Sequence, residues 1–263
     1  MHRSVQIQDI FYNTRKTFHS SDGLRNMEDM YLNTKGSSCS LMQFNIAYAD
    51  EKGAQRLIGF GRPEAFNKLK SRDSQVHVDA TFSCCPKAFY QCLIISVYLE
   101  ELNLFLPCFY VLMTRKSQLA YELALSNIST LLGGKLRPKW VMHDFEVALC
   151  NALSKLFKGT TSLGCYFHFI QALVKKMIEH GIPKDMAYRE VKWFELMTIC
   201  PRDEIFTKCL DYISYNITLK EMNETEDGAV LTAWANFFNY VRRQWDTPLM
   251  ISLFNYDGHA MEM

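Results

Sequence analysis

The sequence predicts an α/β fold: a mixed sheet, flanked by helices, in which an antiparallel meander leads into parallel crossovers, followed by an all-helical region. Three observations predict it. Three strand-like runs follow one another across short links, which favours antiparallel neighbours. The hydrophobic period then changes from two to that of a helix and alternates between short strands and helices, the pattern of crossover units. From residue 182 onward the text is helical.

In order along the chain, residues 1–40 are polar and carry the breaker clusters "HSSDGL" and "TKGSSCS", so they read as a short helix and loop extension. "LMQFNIAYAD" and "QRLIGFG" flank the turn "EKGA" as a hairpin. Pro63 opens a short helix. Strands are predicted at 75–84, 89–100 and 104–114. "KSQLAYELALSNISTLLGG" is a helix capped by Ser117 and stopped at Gly133 and Gly134. "PKWVMHDF" reads as a strand, "EVALCNALSKLFKG" as a helix, "TSLGCYFHF" as a strand and "IQALVKKMIEHG" as a helix. Breaks in the helical remainder fall at Pro201, at "NETEDG" and at Pro248. The organisation expected is an extension over 1–40, a core over 41–181 and a helical region over 182–263.

Composition narrows the function classes. The chain has 263 residues, 48% hydrophobic, which suffices for a large domain with its own core. A formal net charge of +1 gives no global field that would announce a polyanionic or polycationic partner, so a nucleic-acid site must be local. The opening residues lack a signal-peptide core, and the longest apolar run, "LNLFLPCFYVLM", is too short to span a bilayer. A soluble, non-secreted protein is expected. Nine scattered cysteines without a repeated C-x-x-C fit reduced thiols better than a disulfide framework.

Two acidic residues interrupt apolar text. Asp79 lies inside "SQVHVDATFSCCPKAFYQCLIISVYLE", and Asp144 ends the strand "WVMHDF". A meander followed by right-handed crossovers places the strands bearing them side by side and parallel, with both carboxylates at one edge. Ionised carboxylates brought together are costly unless a cation bridges them, and Mg²⁺ takes such oxygens while leaving room for water and phosphate. Two such ions clamp the attacking and leaving oxygens of a phosphodiester. The plainer reading makes Asp144 the N-cap of the following helix and Asp79, with Thr81, a satisfied group at a strand edge. Cys165 and His168 form a C-x-x-H, but a zinc site needs four ligands and no second close pair stands near it in sequence. His143 falls on the face opposite Asp79 by strand alternation. An unrelated α/β enzyme using Cys165 or His168 as nucleophile and base is a third reading, one without metal dependence.

The segments "VDATFSCCPKAFYQCLIISVY", "LFLPCFYVLMTRKSQLAYELAL", "PKWVMHDFEVALCNAL" and "LGCYFHFIQALVKKM", in that order, resemble the transposase domain of Mutator-like elements (MULE). The specific parts are D-x-T-F, D-F-E at 144–146 and the C-x-x-H at 165–168. The resemblance implies a ribonuclease-H-like core of the DDE superfamily, with a five-stranded mixed sheet, that cuts and joins DNA using Mg²⁺ or Mn²⁺. It assigns Asp79 and Asp144 as catalytic metal ligands and gives Cys165 and His168 a structural role. The helical text after 181 is similar to the family's insertion before its last catalytic helix. The expected partner is DNA, with no membrane and no small-molecule substrate; homo-oligomers are compatible with it, and nuclear residence is implied. The family's third acid follows an R-T-N-N-like segment that this chain lacks, and nothing around Glu262 matches it. A truncated, catalytically impaired copy is therefore expected, with a non-catalytic DNA- or protein-binding fragment as the alternative.

Overall fold

A computed structural model describes residues 41–83, 85–224 and 228–257. The predicted extension over 1–40, Cys84 and Glu262 lie outside the described residues. The chain divides into compact units over 1–161 and 162–263.

In the first unit, β1 (Met42–Asp50) and β2 (Gly53–Gly61) form the expected hairpin, and Pro63 opens α1 (Pro63–Leu69). The meander is β3 (Gln75–Thr81), β4 (Gln91–Leu99) and β5 (Leu104–Met113). Then come α2 (Gln118–Leu131), β6 (Trp140–His143) and α3 (Val147–Leu156). β7 (Thr161–Gly164) begins on the last residue of this unit. The strand order is β1-β2-β5-β4-β3-β6-β7, so the sheet has seven strands where five were expected. The difference is the hairpin, which joins the meander through β2, with Leu57 to Gly61 running antiparallel to Phe109 to Met113.

Residue chemistry accounts for the strand positions. Nearly every residue of β4 is buried, including Cys92, Leu93, Ile95 and Val97, as suits a strand covered on both faces. β3 alternates instead: Val76 and Val78 are buried, whereas Gln75, His77 and Asp79 lie half-buried on the other face. The β4–β5 link ends in Asn103, whose φ of 47° is tolerated by a short polar side chain; its Oδ1 accepts a bond from Tyr98 Oη at 2.7 Å. β6 pairs with β3 in parallel, from Gln75 opposite Trp140 to Val78 opposite His143. Helix α2 starts where Ser117 Oγ accepts the Ala120 N–H at 3.3 Å, and it buries Ala120, Tyr121, Ala124, Leu125 and Ile128.

The second unit is helical: α4 (Tyr166–Glu179), α5 (Lys184–Glu190), α6 (Leu196–Ile199), α7 (Leu210–Glu224), α8 (Gly228–Trp245) and α9 (Pro248–Phe254). Aromatic rings fill it. Phe169 stacks on Phe254 at 5.1 Å and meets Trp245 edge-on at 4.9 Å. Buried Asn255 donates through Nδ2 to the carbonyls of Met197 and Cys200 at 3.0 and 2.8 Å, so two of the orphan acceptors at the end of α6 are satisfied.

Candidate functional site

The last paired residues of the parallel strands are Val78 and His143. Asp79 and Asp144 come next along each strand, Asp79 still within β3 and opposite Ile94 of β4, Asp144 just past the end of β6, so both lie toward the same end of adjacent strands. Pleating puts Asp79 on the face of His77 and leaves His143 on the face of Val78. The structure agrees, since His143 is fully buried while both aspartates are half-buried.

Each carboxylate accepts a backbone N–H. Asp79 Oδ1 accepts from Ala80 N at 2.8 Å, and Asp144 Oδ1 accepts from Glu146 N at 3.0 Å. Asp144 is not the helix cap suggested by the plainer reading. The cap position of α3 belongs to Glu146, whose side chain makes no capping bond, and Asp144 closes a tight turn two residues earlier. Paired hard oxygen donors at one sheet edge are the chemistry that suits Mg²⁺ or Mn²⁺. Among the described residues, no group of three or more His, Cys, Asp or Glu is arranged to hold a metal ion.

The turn that bears Asp144 is secured from several sides. His143 Nδ1 lies 2.6 Å from the Asp144 carbonyl; this contact requires the Nδ1–H tautomer. Cys150 Sγ lies 3.9 Å from the same nitrogen, and burial pushes its thiol up to about 11. Glu146 lies 3.8 Å from Lys116 Nζ. Burial raises the Glu146 carboxyl above its ordinary range and the charge of Asp144 adds to this, with Lys116 opposing. Sequence reasoning missed Glu146 and Lys116. The one available signal was the acid itself, two residues beyond Asp144 in the same turn.

Burial also lowers the pKa of His143, and His77 adds to the effect, while Asp144 acts against it. Between this depressed value and the ordinary one near 6.5, the unfolded chain holds a proton that the folded chain does not. Acidification below about pH 6.5 is therefore expected to destabilise the first unit, by up to about 1.4 kcal/mol per pH unit for this one proton. Urea unfolding of the wild type and of His143→Asn between pH 7.5 and 5.5 checks it. A slope that persists unchanged in the variant would show that other groups carry the effect.

Cys165 and His168 belong to the second unit. Cys165 is the N-cap residue of α4, and its side chain makes no capping bond; His168 sits in the first helical turn, its ring 6.0 Å from that of Phe167. The helix thus begins at Tyr166, within text predicted to be strand as far as Phe169.

Residues 75–172 match the MULE transposase domain. That stretch runs from the first residue of β3 into α4 and contains Asp79, Asp144, Cys165 and His168. No curated protein matches the chain. Among solved structures it is similar to a chain of the Drosophila P element transposase strand transfer complex, at 10% identity over 75% of this chain and 73% of that one, with a TM-score of 0.31. So distant a likeness does not inform the site. The matched segment has the element order β-β-β-α-β-α-β-α. No described helix is long and apolar enough to cross a membrane.

Proposed function

We propose that this protein is a DDE-type transposase domain acting on DNA phosphodiesters, with Asp79 and Asp144 as its metal ligands. The observation that carries the reading is the parallel pairing of β3 with β6, whose register brings both aspartates to one end of neighbouring strands within the MULE segment. The contiguous strands β5-β4-β3-β6-β7 support a ribonuclease-H-like core, with the hairpin as an addition at its edge.

In this reading Asp79 and Asp144 present carboxylate oxygens that would hold Mg²⁺ or Mn²⁺. A bound divalent ion would polarise the scissile phosphate and lower the pKa of the attacking water or 3′-hydroxyl. The chain's own part is to fix the two acids before DNA arrives. Ala80 N–H and Glu146 N–H aim one oxygen of each, and the strand pairing fixes their separation. Such pre-set geometry keeps reorganisation out of the chemical step. Cys165 and His168 shape the start of α4 and take no part in the chemistry.

The test is Mn²⁺ titration by calorimetry, joined to a nicking assay on supercoiled DNA. The wild type is expected to bind Mn²⁺ and to nick, and Asp79→Ala and Asp144→Ala to do neither. Metal binding and DNA binding without nicking would point to the non-catalytic alternative, and Mn²⁺ binding that survives both substitutions would overturn the assignment of the ligands.

A further inference from the structure

The link between β3 and β4 turns one aromatic side chain in and two out. Phe89 is buried, whereas Phe82 and Tyr90 are 55% and 49% exposed. The two exposed rings meet edge-on, with centroids 5.5 Å apart and planes at 89°. An edge-on contact covers at most one ring face, so much of the aromatic surface of this pair stays in water. Single exposed apolar side chains are ordinary, but a fixed pair of rings marks a contact surface. Phe82 also closes the D-x-T-F motif that Asp79 opens, and holding a metal ion makes no use of it.

The main chain around the pair is held in place. Cys85 N–H donates to the Phe82 carbonyl at 3.2 Å and Phe89 N–H to that of Pro86 at 2.9 Å. Tyr90 N–H donates to the Met113 carbonyl at 2.8 Å, which extends the β4–β5 pairing by one residue. The rings are thus set before any ligand arrives, which spares the ordering cost of binding.

Register relates the pair to the aspartates. Asp79 lies opposite Ile94 and Thr81 opposite Cys92, so these four residues share one face of the sheet, and alternation carries that face on to Tyr90. Phe82 follows Asp79 by about 10 Å of extended chain, roughly three base-pair rises of a DNA strand. Lys87, on the same link, is exposed and brings positive charge. An open aromatic face beside a cation suits a nucleobase and its phosphate. Every base has a π-face, so stacking grips unpaired bases without reading their sequence, whereas bases within a duplex are already stacked.

We propose that Phe82 and Tyr90 form a stacking platform for an unpaired DNA base beside the phosphodiester held at Asp79 and Asp144, with Lys87 meeting a neighbouring phosphate. This rests on the reading of the two aspartates as the cutting site. It specifies the substrate class as DNA whose strand is unstacked next to the scissile bond, such as a single-stranded end, over uninterrupted duplex.

The test is fluorescence anisotropy of the full chain in metal-free buffer, with a blunt duplex and the same duplex bearing a short single-stranded end. A fluorescent adenine analogue in that end, quenched when it stacks, reports the contact itself. The wild type is expected to bind the single-stranded end on the order of 10-fold more tightly than the blunt duplex and to quench the analogue. Phe82→Ala and Tyr90→Ala are expected to lose most of this preference and the quenching, with blunt-duplex binding unchanged. Tyr90→Phe and Phe82→Tyr keep the rings and should keep both, a rescue that a loss of the fold would not give. If the wild type shows no preference, or the alanine variants retain it, the platform is overturned and the exposed pair is left to a protein contact. Equal weakening of both DNAs in the alanine variants would overturn it as well. The ligand assignment stands or falls separately, on Mn²⁺ binding by Asp79→Ala and Asp144→Ala. If the wild type binds neither DNA, the functional reading fails and the inference falls with it.

Discussion

Replacing Arg189 by Met is expected to destabilise the 162–263 unit by about 3–5 kcal/mol at neutral pH. Glu190 and Glu221 have side chains 2% and 0% exposed, and Arg189 stands between them, 3.0 Å from Glu221 and 3.2 Å from the exposed Glu224. Glu190 has further partners in Lys220 and in Trp193 Nε1, which donates at 3.1 Å. Burial alone would raise the Glu190 carboxyl, but Lys220 and Arg189 outweigh it and the net direction is down. For Glu221 burial wins and the direction is up, and its Oε2 has no hydrogen-bond partner. Removing the guanidinium leaves Glu221 buried without its cation, the costly way of breaking such a network. The remedy open to the variant is protonation. A carboxyl whose folded pKa lies above its unfolded value binds more protons when folded, so the cost should shrink as pH falls from 7.5 toward 5. Urea unfolding followed by tryptophan fluorescence at both pH values measures it. A cost below about 1 kcal/mol at pH 7.5 would mean that the network is no stronger than a surface ion pair.

The candidate acids were legible in the sequence because each broke a local rule. A carboxylate between Val78 and Ala80, or after "WVMH", has no packing reason to be there, and such violations mark functional positions more often than they mark errors. The crossover order then placed the strands that bear them side by side. A buried polar contact such as that of Gln91 Nε2 with Tyr121 Oη, at 2.7 Å, was not legible. Tyr121 falls on the buried stripe of α2 and reads as ordinary core, and Gln91 follows an exposed tyrosine at a strand start, where polar residues are common. Only the fold shows that the two meet, since they are 30 residues apart in sequence. Long-range pairing also hid the strand count: the hairpin was evident from its turn, but its junction with β5 depends on residues such as Leu57 and Met113. The early start of α4 has a local cause. "CYFHF" has the aromatic content of a strand, yet Phe169, Leu173, Val174 and Met177 form one buried helical face, and tertiary burial overrides propensity.

Phe109→Ala is expected to destabilise the first unit by about 3–5 kcal/mol. The ring is fully buried on β5 and stacks on Phe66 at 4.5 Å. Its β2 partner is Gly61, directly opposite in register, and the fit between them is close. A Cβ at position 61 would come within 2.8 Å of the Phe109 ring and 2.9 Å of the Cys108 carbonyl oxygen. Gly61→Ala alone is therefore expected to cost about 1–3 kcal/mol through overpacking. In the Phe109→Ala background the ring is gone and the added methyl enters the space it leaves, while the Cys108 carbonyl still resists. The double variant should consequently be less unstable than the sum of the single ones, by a coupling of about 0.5–3 kcal/mol. A double-mutant cycle from urea unfolding checks this. Costs that add to within about 0.5 kcal/mol would show that position 61 is a glycine for the backbone approach to Cys108 alone, and that the aromatic ring plays no part in selecting it.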